Sequence, residues 1–366
     1  MRNFNNLERL VVKVGTNILA PAGIPDTERI QEIAEDVATL KRKGLSPLIV
    51  SSGAIGFGSI ALKLKERPKK IEMRQACAAV GQPILMEHWR KALEEQGIIS
   101  AQILLSRESF DDRRSYLNLR NAVESLLDLG AVPVLNENDS VSTSEIGDIF
   151  GDNDSLSAHV ASKLDAGLLV LLTDIDALYS SDPRIHPEAE PLQLVEKITD
   201  QIKSAAGNAG SEHATGGMIT KIQAVEVASR AGCRTVLADG REKQILSRII
   251  RGEEVGTLFL AGPKMNARSR WIIGARPKGA ITVDEGAMEA LNRRKSLLPK
   301  GVTSVEGVFE TGDVVLINSA YHAVTSMGSE EIRKIMGRHS RDIKKVLGSG
   351  RREEVARAED IVALYQ

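Results

Sequence analysis

"RLVVKVG", residues 9–15, is an almost unbroken apolar run ended by glycine, and its reading as a buried strand ahead of a helix decides the fold. Ile30, Ile33, Ala34, Val37 and Leu40 then recur at helical spacing until Gly44 stops the pattern, and "SPLIVSSG" opens a second apolar run. Runs of this kind suit strands covered on both faces, because a strand with one wet face alternates apolar and polar residues. The order repeats: "ISAQILLS", a helix from about Asn118 to Leu129 closed by Gly130, "AVPVLNEND", a helix through Ala158 and Ala161, "AGLLVLLTD", then "ITKIQAVEVASRAG" and "CRTVLADG". Strand–helix alternation predicts an α/β fold, an open and mostly parallel sheet covered by helices on both faces.

The pattern breaks around "GPKMNARSRWIIGARPKG", residues 262–279, where prolines, glycines and basic residues cluster. This sets the expected division: an α/β domain over 1–261, a linker over 262–279, a small β-rich domain over 280–358 and a tail over 359–366. In the β-rich part "GAITVDEGAMEAL", "SLLPKGVTSVEGVF", "TGDVVLIN" and "HAVTSMG" read as short β-like pieces, with one helix near Glu330 to Met336. At 366 residues two domains are the natural outcome.

Composition narrows the function. With 48 basic and 49 acidic residues the net charge is −1, which removes a bulk electrostatic reason to bind nucleic acid or anionic membrane. Cys77 and Cys233 lie in apolar contexts, which argues against a disulfide framework and for a reducing, cytoplasmic setting. No apolar stretch has the length of a membrane span, and the N-terminal residues lack the apolar region of a secretion signal.

In open α/β sheets ligands bind beyond the carboxyl ends of the strands. Here the exits are Lys13-Val14-Gly15-Thr16, Ser51-Ser52-Gly53-Ala54, Asn136-Glu137-Asn138-Asp139 and Thr173-Asp174. Each alone also reads as a turn, a helix cap or a rim lysine. Asp148, Asp152 and Asp154 crowd "EIGDIFGDNDS", yet Leu156 occupies the third ligand position of a calcium loop, and no phosphate-binding G-x-x-x-x-G-K-[ST] or G-x-G-x-x-G occurs. "ATGGMITK" adds Gly216 and Gly217 ahead of Lys221, a glycine turn whose amides can approach phosphate oxygens.

These stretches, together with "AAVGQ" and "LLTDIDALY" followed by "DPR", resemble the amino-acid kinases and, within them, the glutamate 5-kinase group; the C-terminal part resembles a PUA domain, a small β-barrel. The resemblance implies transfer of the ATP γ-phosphoryl group to the side-chain carboxylate of L-glutamate, giving L-glutamyl 5-phosphate for proline synthesis. It implies Lys13, Lys221 and Asp154 as catalytic residues, and Ser52, Gly53, Asn136, Asp139, Asp152 and Asn153 as the substrate site, with Asp139 against the ammonium. For ATP it implies Lys13, Gly15, Thr173, Asp174, Thr215, Gly216, Gly217, Met218, Ile219, Thr220 and Lys221, with Gly15, Gly53 and the "TGG" turn donating amides to phosphates. Magnesium enters as MgATP, with no protein metal site. Proline is the implied inhibitor, a homo-oligomer (dimer or tetramer) the implied assembly, and a glutamyl phosphate reductase an implied functional partner.

Two alternatives stand beside this reading. A sibling kinase of aspartate or N-acetylglutamate is disfavoured by "NEND", since an acetylated substrate has no ammonium to pair with a carboxylate. An RNA-binding or regulatory role would work through residues 280–366, whose 13 Lys or Arg balance 13 Asp or Glu, although Arg333, Lys334, Arg338, Arg341, Lys344 and Lys345 cluster there. The approach to "GDND" is longer than the family pattern suggests and leaves Asp148 without a role.

Overall fold

The computed structural model describes residues 2–21, 24–66, 68–106, 110, 112–141, 153–207, 217–339, 343–348 and 353–364. Asp148, Asp152, Thr215, Gly216 and Arg341 lie outside them. The chain divides into two compact units, Met1–Ser109 with Arg113–Lys264, and Phe110–Asp112 with Met265–Gln366.

The first unit runs β1 (Arg9–Val14), α1 (Thr16–Leu19), α2 (Thr27–Arg42), β2 (Ser46–Ser51), α3 (Ala54–Ala61), α4 (Ile71–Glu94), β3 (Ser100–Leu105), α5 (Arg113–Asp128), β4 (Val132–Glu137), α6 (Asn153–Lys163) and β5 (Leu168–Thr173). It continues through β6 (Leu178–Tyr179), β7 (Pro191–Leu192), β8 (Leu194–Val195), α7 (Asp200–Gly207), α8 (Met218–Arg230), β9 (Arg234–Asp239), α9 (Ile245–Ile250) and β10 (Thr257–Phe259). Eight strands form one sheet in the order β3-β4-β2-β1-β5-β9-β10-β8, parallel except where β10 meets β9. β6 and β7 pair separately. Each long predicted strand is present, and the α/β architecture is the expected one.

The two-residue period of a strand explains how β1 serves both faces. Leu10, Val12 and Val14 join Leu168, Val170 and Leu172 in a core with Ile30, Ile33 and Val37 of α2 and Leu85, Trp89 and Leu93 of α4. Val11 and Lys13 take the opposite face, where α6 packs over β1. A buried lysine is thereby turned toward the first residues of α6.

α3 and α4 pack closely because both carry glycine at the crossing. A Cβ on Gly58 would stand 1.8 Å from Cys77 O, and one on Gly81 would stand 1.8 Å from Ala54 O and 2.4 Å from the Gly58 N. Gly58 of "GFG" and Gly81 of "AAVGQ" are thus explained by backbone approach. Cys77 and Cys233 are both buried free thiols. Among the described residues no helix is long and apolar enough to cross a membrane.

The second unit comprises α10 (Ala267–Gly274), β11 (Gly279–Val283), α11 (Glu285–Asn292), β12 (Val302–Gly307), β13 (Val314–Ile317), β14 (Tyr321–Val324), α12 (Ser329–Ile335), α13 (Ile343–Leu347) and β15 (Ile361–Ala363). Its sheet runs β12-β11-β13-β14-β15. Among the described residues no pairing joins β12 to β15, so the sheet is open; Leu291 of α11, Ile332 and Ile335 of α12, and Phe309 and Met327 close its core.

The stretch read as a linker carries α10, capped by Asn266 Oδ1 accepting from Ser269 N at 2.8 Å and packed on β14 and β15. Flanking prolines and glycines hid its Asn cap and buried Trp271 and Ile272. The stretch read as a tail contributes β15, which pairs with β14. "DEGAMEAL", read as β-like, is helix α11, with Asp284 accepting from Ala287 N.

Candidate active site

Chain crossings leave β1 in opposite directions, β2 lying on one side and β5 on the other, so the crevice beyond their carboxyl ends is a topological switch point. Lys13 from β1, Asp154 from the second position of α6 and Lys221 from the first turn of α8 meet there. Lys13 Nζ lies 2.5 Å from Asp154 Oδ1, and Lys221 Nζ lies 3.0 Å from Asp154 Oδ2. All three are buried, Asp154 completely. Thr220 Oγ1 donates to Gly217 O at 2.8 Å and lies 3.4 Å from Asp154 Oδ2. One carboxylate therefore holds two ammonium groups side by side, and any triphosphate in the crevice meets a concentrated positive charge.

A second cluster adjoins it. Asn153 Nδ2 lies 2.9 Å from Ser52 Oγ, 3.1 Å from Ser51 O and 3.1 Å from Asn136 Oδ1. Glu137 N donates to the same Asn136 oxygen at 2.9 Å, which fixes the amide orientation, and Asn136 Nδ2 donates to Gln82 Oε1 at 2.7 Å. Trp89 Nε1 donates to Ser51 Oγ at 2.8 Å. Gln82, Ser51 and Trp89 were not singled out by sequence reading as site residues. The available signals were Gln82 ending "AAVGQ" and Ser51 opening the second strand exit.

Ser52, Gly53, Asn136, Asp139 and Asn153 line one cavity of about 570 Å³, along with Thr16, Asn17 and Arg74. Gly53 adopts φ 108°, a left-handed conformation that a side chain would strain, at the start of α3. Burial pushes the Asp139 carboxyl up to about 6, with the nearby Arg74 charge pulling the other way.

At the β5 exit, Asp174 Oδ2 accepts from Asn17 Nδ2 at 2.9 Å and Oδ1 from Thr173 Oγ1 at 3.1 Å. Burial alone would raise this carboxyl, but those hydrogen bonds and the Lys221 charge outweigh it and hold it below the ordinary value. Gly217 begins α8 without a side-chain cap, leaving first-turn amides of Met218, Ile219 and Thr220 available to an anion. Ile219 is exposed and Met218 half-buried.

Gly15 departs from its expected role. Its amide donates to Leu172 O at 3.1 Å and is not a phosphate donor in this geometry. A Cβ there would stand 3.6 Å from Lys13 Nζ and 3.2 Å from Leu172 O, so the glycine keeps space open beside the lysine. Among the described residues no group of three or more His, Cys, Asp or Glu side chains could hold a metal ion.

Residues 8–239 match the amino acid kinase family, and residues 279–347 match the PUA domain. Glutamate 5-kinase of Methanosarcina barkeri is 44% identical over 370 residues, covering 98% of this chain and 97% of that protein. Glutamate 5-kinase of Caldanaerobacter subterraneus is 41% identical over 365 residues, covering 97% and 98% respectively. The buried lysine–aspartate–lysine cluster at the switch point and the near full-length identity lead to one assignment: this chain belongs to the amino acid kinase family, in its glutamate 5-kinase group, with a C-terminal PUA domain.

Proposed function

We propose that this protein is a kinase that transfers the γ-phosphoryl group of ATP to the side-chain carboxylate of L-glutamate, giving L-glutamyl 5-phosphate, the first step of proline synthesis. The observation that carries this is the Asp154 carboxylate held between Lys13 and Lys221 beside a cavity containing Asp139. A carboxylate oxygen attacks the γ-phosphorus while the bond to the β,γ-bridging oxygen breaks, and ADP leaves with the electron pair. The attacking carboxylate is already ionised at neutral pH, so the step needs no general base. This agrees with Asp154 being occupied by lysines instead of pointing into the cavity as a proton acceptor.

The obstacle is charge, since an anion approaches a triphosphate. Lys13 and Lys221 neutralise the transferring group from two strand and helix ends, and the open first turn of α8 receives phosphate oxygens. Ser52, Asn136 and Asn153 position the glutamate, and Asp139 pairs with its ammonium, which favours a free amino acid over an acetylated one. Thr173 and Asp174 border the nucleotide. The resemblance also assigns Thr215 and Gly216 to ATP and Asp152 to glutamate in the same proposal; all three lie outside the described residues. Mg²⁺ is carried on the triphosphate, with phosphate oxygens and water as ligands.

Proline, which also carries an ammonium and a carboxylate, competes for this site as an inhibitor. A homo-oligomer in the cytoplasm, coupled to a glutamyl phosphate reductase that consumes the reactive product, completes the reading. The test is ADP release measured with glutamate, aspartate and N-acetylglutamate, with hydroxylamine trapping the acyl phosphate as a hydroxamate. Glutamate alone should give both signals; ADP release without hydroxamate, or preference for either other acceptor, would refute the assignment.

A further inference from the structure

Arg74 lies in the first turn of α4 and lines the same cavity as Asp139. The other charged lining residues are Lys65 and Glu66, both exposed, and the half-buried Glu137. Arg74 and Asp139 are also half-buried, and neither side chain has a hydrogen bond or ion pair with any described residue. The two charges influence each other electrostatically without touching. A cation and an anion left apart in one pocket forgo an ion pair they could otherwise make, and partly desolvated charges are costly unless something pairs them. What fits between them is a group carrying both opposite charges as substituents of one carbon.

An α-amino acid head group has that chemistry, an ammonium and a carboxylate on one carbon. Its orientation follows from the lysine pair: Asn153 also lines the cavity and directly precedes Asp154, which holds the two lysines. The reacting carboxylate therefore points toward Asn153, and the head group toward Asp139 and Arg74. Asp139 satisfies the ammonium, which leaves the α-carboxylate as the one charge of glutamate without a partner.

Resting on the function proposed above, we infer that Arg74 receives the α-carboxylate of the substrate while Asp139 takes the ammonium, making Arg74 the residue that distinguishes glutamate from acceptors lacking that charge. Its guanidinium supplies paired N–H donors matched to a carboxylate. The chemistry recognised is an α-carboxylate beside an α-ammonium, with the side chain free to vary in length only as far as the lysine pair allows.

Isoglutamine, glutamate with its α-carboxylate converted to a neutral amide, keeps the ammonium and the reacting carboxylate and so isolates this contact. In the full-length protein, Arg74→Met should raise the glutamate KM by about 10- to 100-fold, the scale of a lost charge-assisted hydrogen bond, with kcat within a few-fold of wild type. The isoglutamine KM should change less than about 3-fold, since it never had the contact. Arg74→Lys should recover part of the glutamate KM. Equal losses on both acceptors would show a merely structural role and overturn the inference. So would an unchanged glutamate KM, or the expected pattern appearing in Lys65→Met instead. Wild-type protein that gives no glutamate-dependent ADP release would instead overturn the function on which the inference rests, an outcome read before any variant.

Discussion

Replacing Asp154 by Asn tests the catalytic cluster most sharply, because the substitution keeps shape and removes one charge. Lys13 contacts one carboxylate oxygen at 2.5 Å and Lys221 the other at 3.0 Å. An amide has a single oxygen, so one lysine is left facing an N–H donor. All three side chains are almost inaccessible to solvent, so water cannot make good the loss. Breaking a buried ion pair costs about 3–5 kcal/mol, and displacing one preorganised cation costs roughly 2.7–4 kcal/mol in the transition state, or about 100- to 1000-fold in kcat. Steady-state ADP release should show that fall with a smaller change in the glutamate KM. Thermal unfolding should show a lowered Tm in the free protein, and saturating MgATP should restore more of it in the variant than it adds to wild type, because phosphate oxygens replace the missing negative charge. A kcat near wild type, or a change confined to KM, would refute the view that Asp154 organises the lysines for phosphoryl transfer.

Lys221→Ala and Lys13→Ala should each lower kcat by at least ~100-fold, and near-normal turnover in either would remove that lysine from the mechanism. Burial raises the Asp139 carboxyl to about 6, so the folded state favours its neutral form. Its contribution to stability is therefore present at acid pH and lost as pH rises from the unfolded value through about 6, while ammonium binding needs the ionised form. The glutamate kcat/KM should accordingly decline below about pH 6, and that limb should be missing from Asp139→Asn; an unchanged acid limb would point to another group. Gly81→Ala forces a Cβ to within 1.8 Å of Ala54 O, where only helix displacement relieves the clash. Urea unfolding should report a loss of at least about 2 kcal/mol, and wild-type stability would mean that α3 and α4 adapt freely.

The sequence by itself determined the α/β architecture, because the signal is local: buried strands such as "RLVVKVG" and "AGLLVLLTD" are almost unbroken aliphatic runs, and glycines stop the helices between them. It also pointed to the strand exits, since ligand chemistry in such folds collects at one end of the sheet. Resemblance then supplied roles for Lys13, Asp154 and Lys221. What only the tertiary structure decided depends on groups far apart in the chain. The Gly15 amide was spent on Leu172 of the neighbouring strand, Gln82 met Asn136 across 54 positions, and Arg74 came to face Asp139 without touching it. Helix α10 was missed where proline and glycine outweighed a short amphipathic signal, and β15 where three residues gain strand character only by pairing with β14. Periodicity records which face of an element is buried; hydrogen-bond partners and shared cavities are properties of packed neighbours, and no single segment contains them.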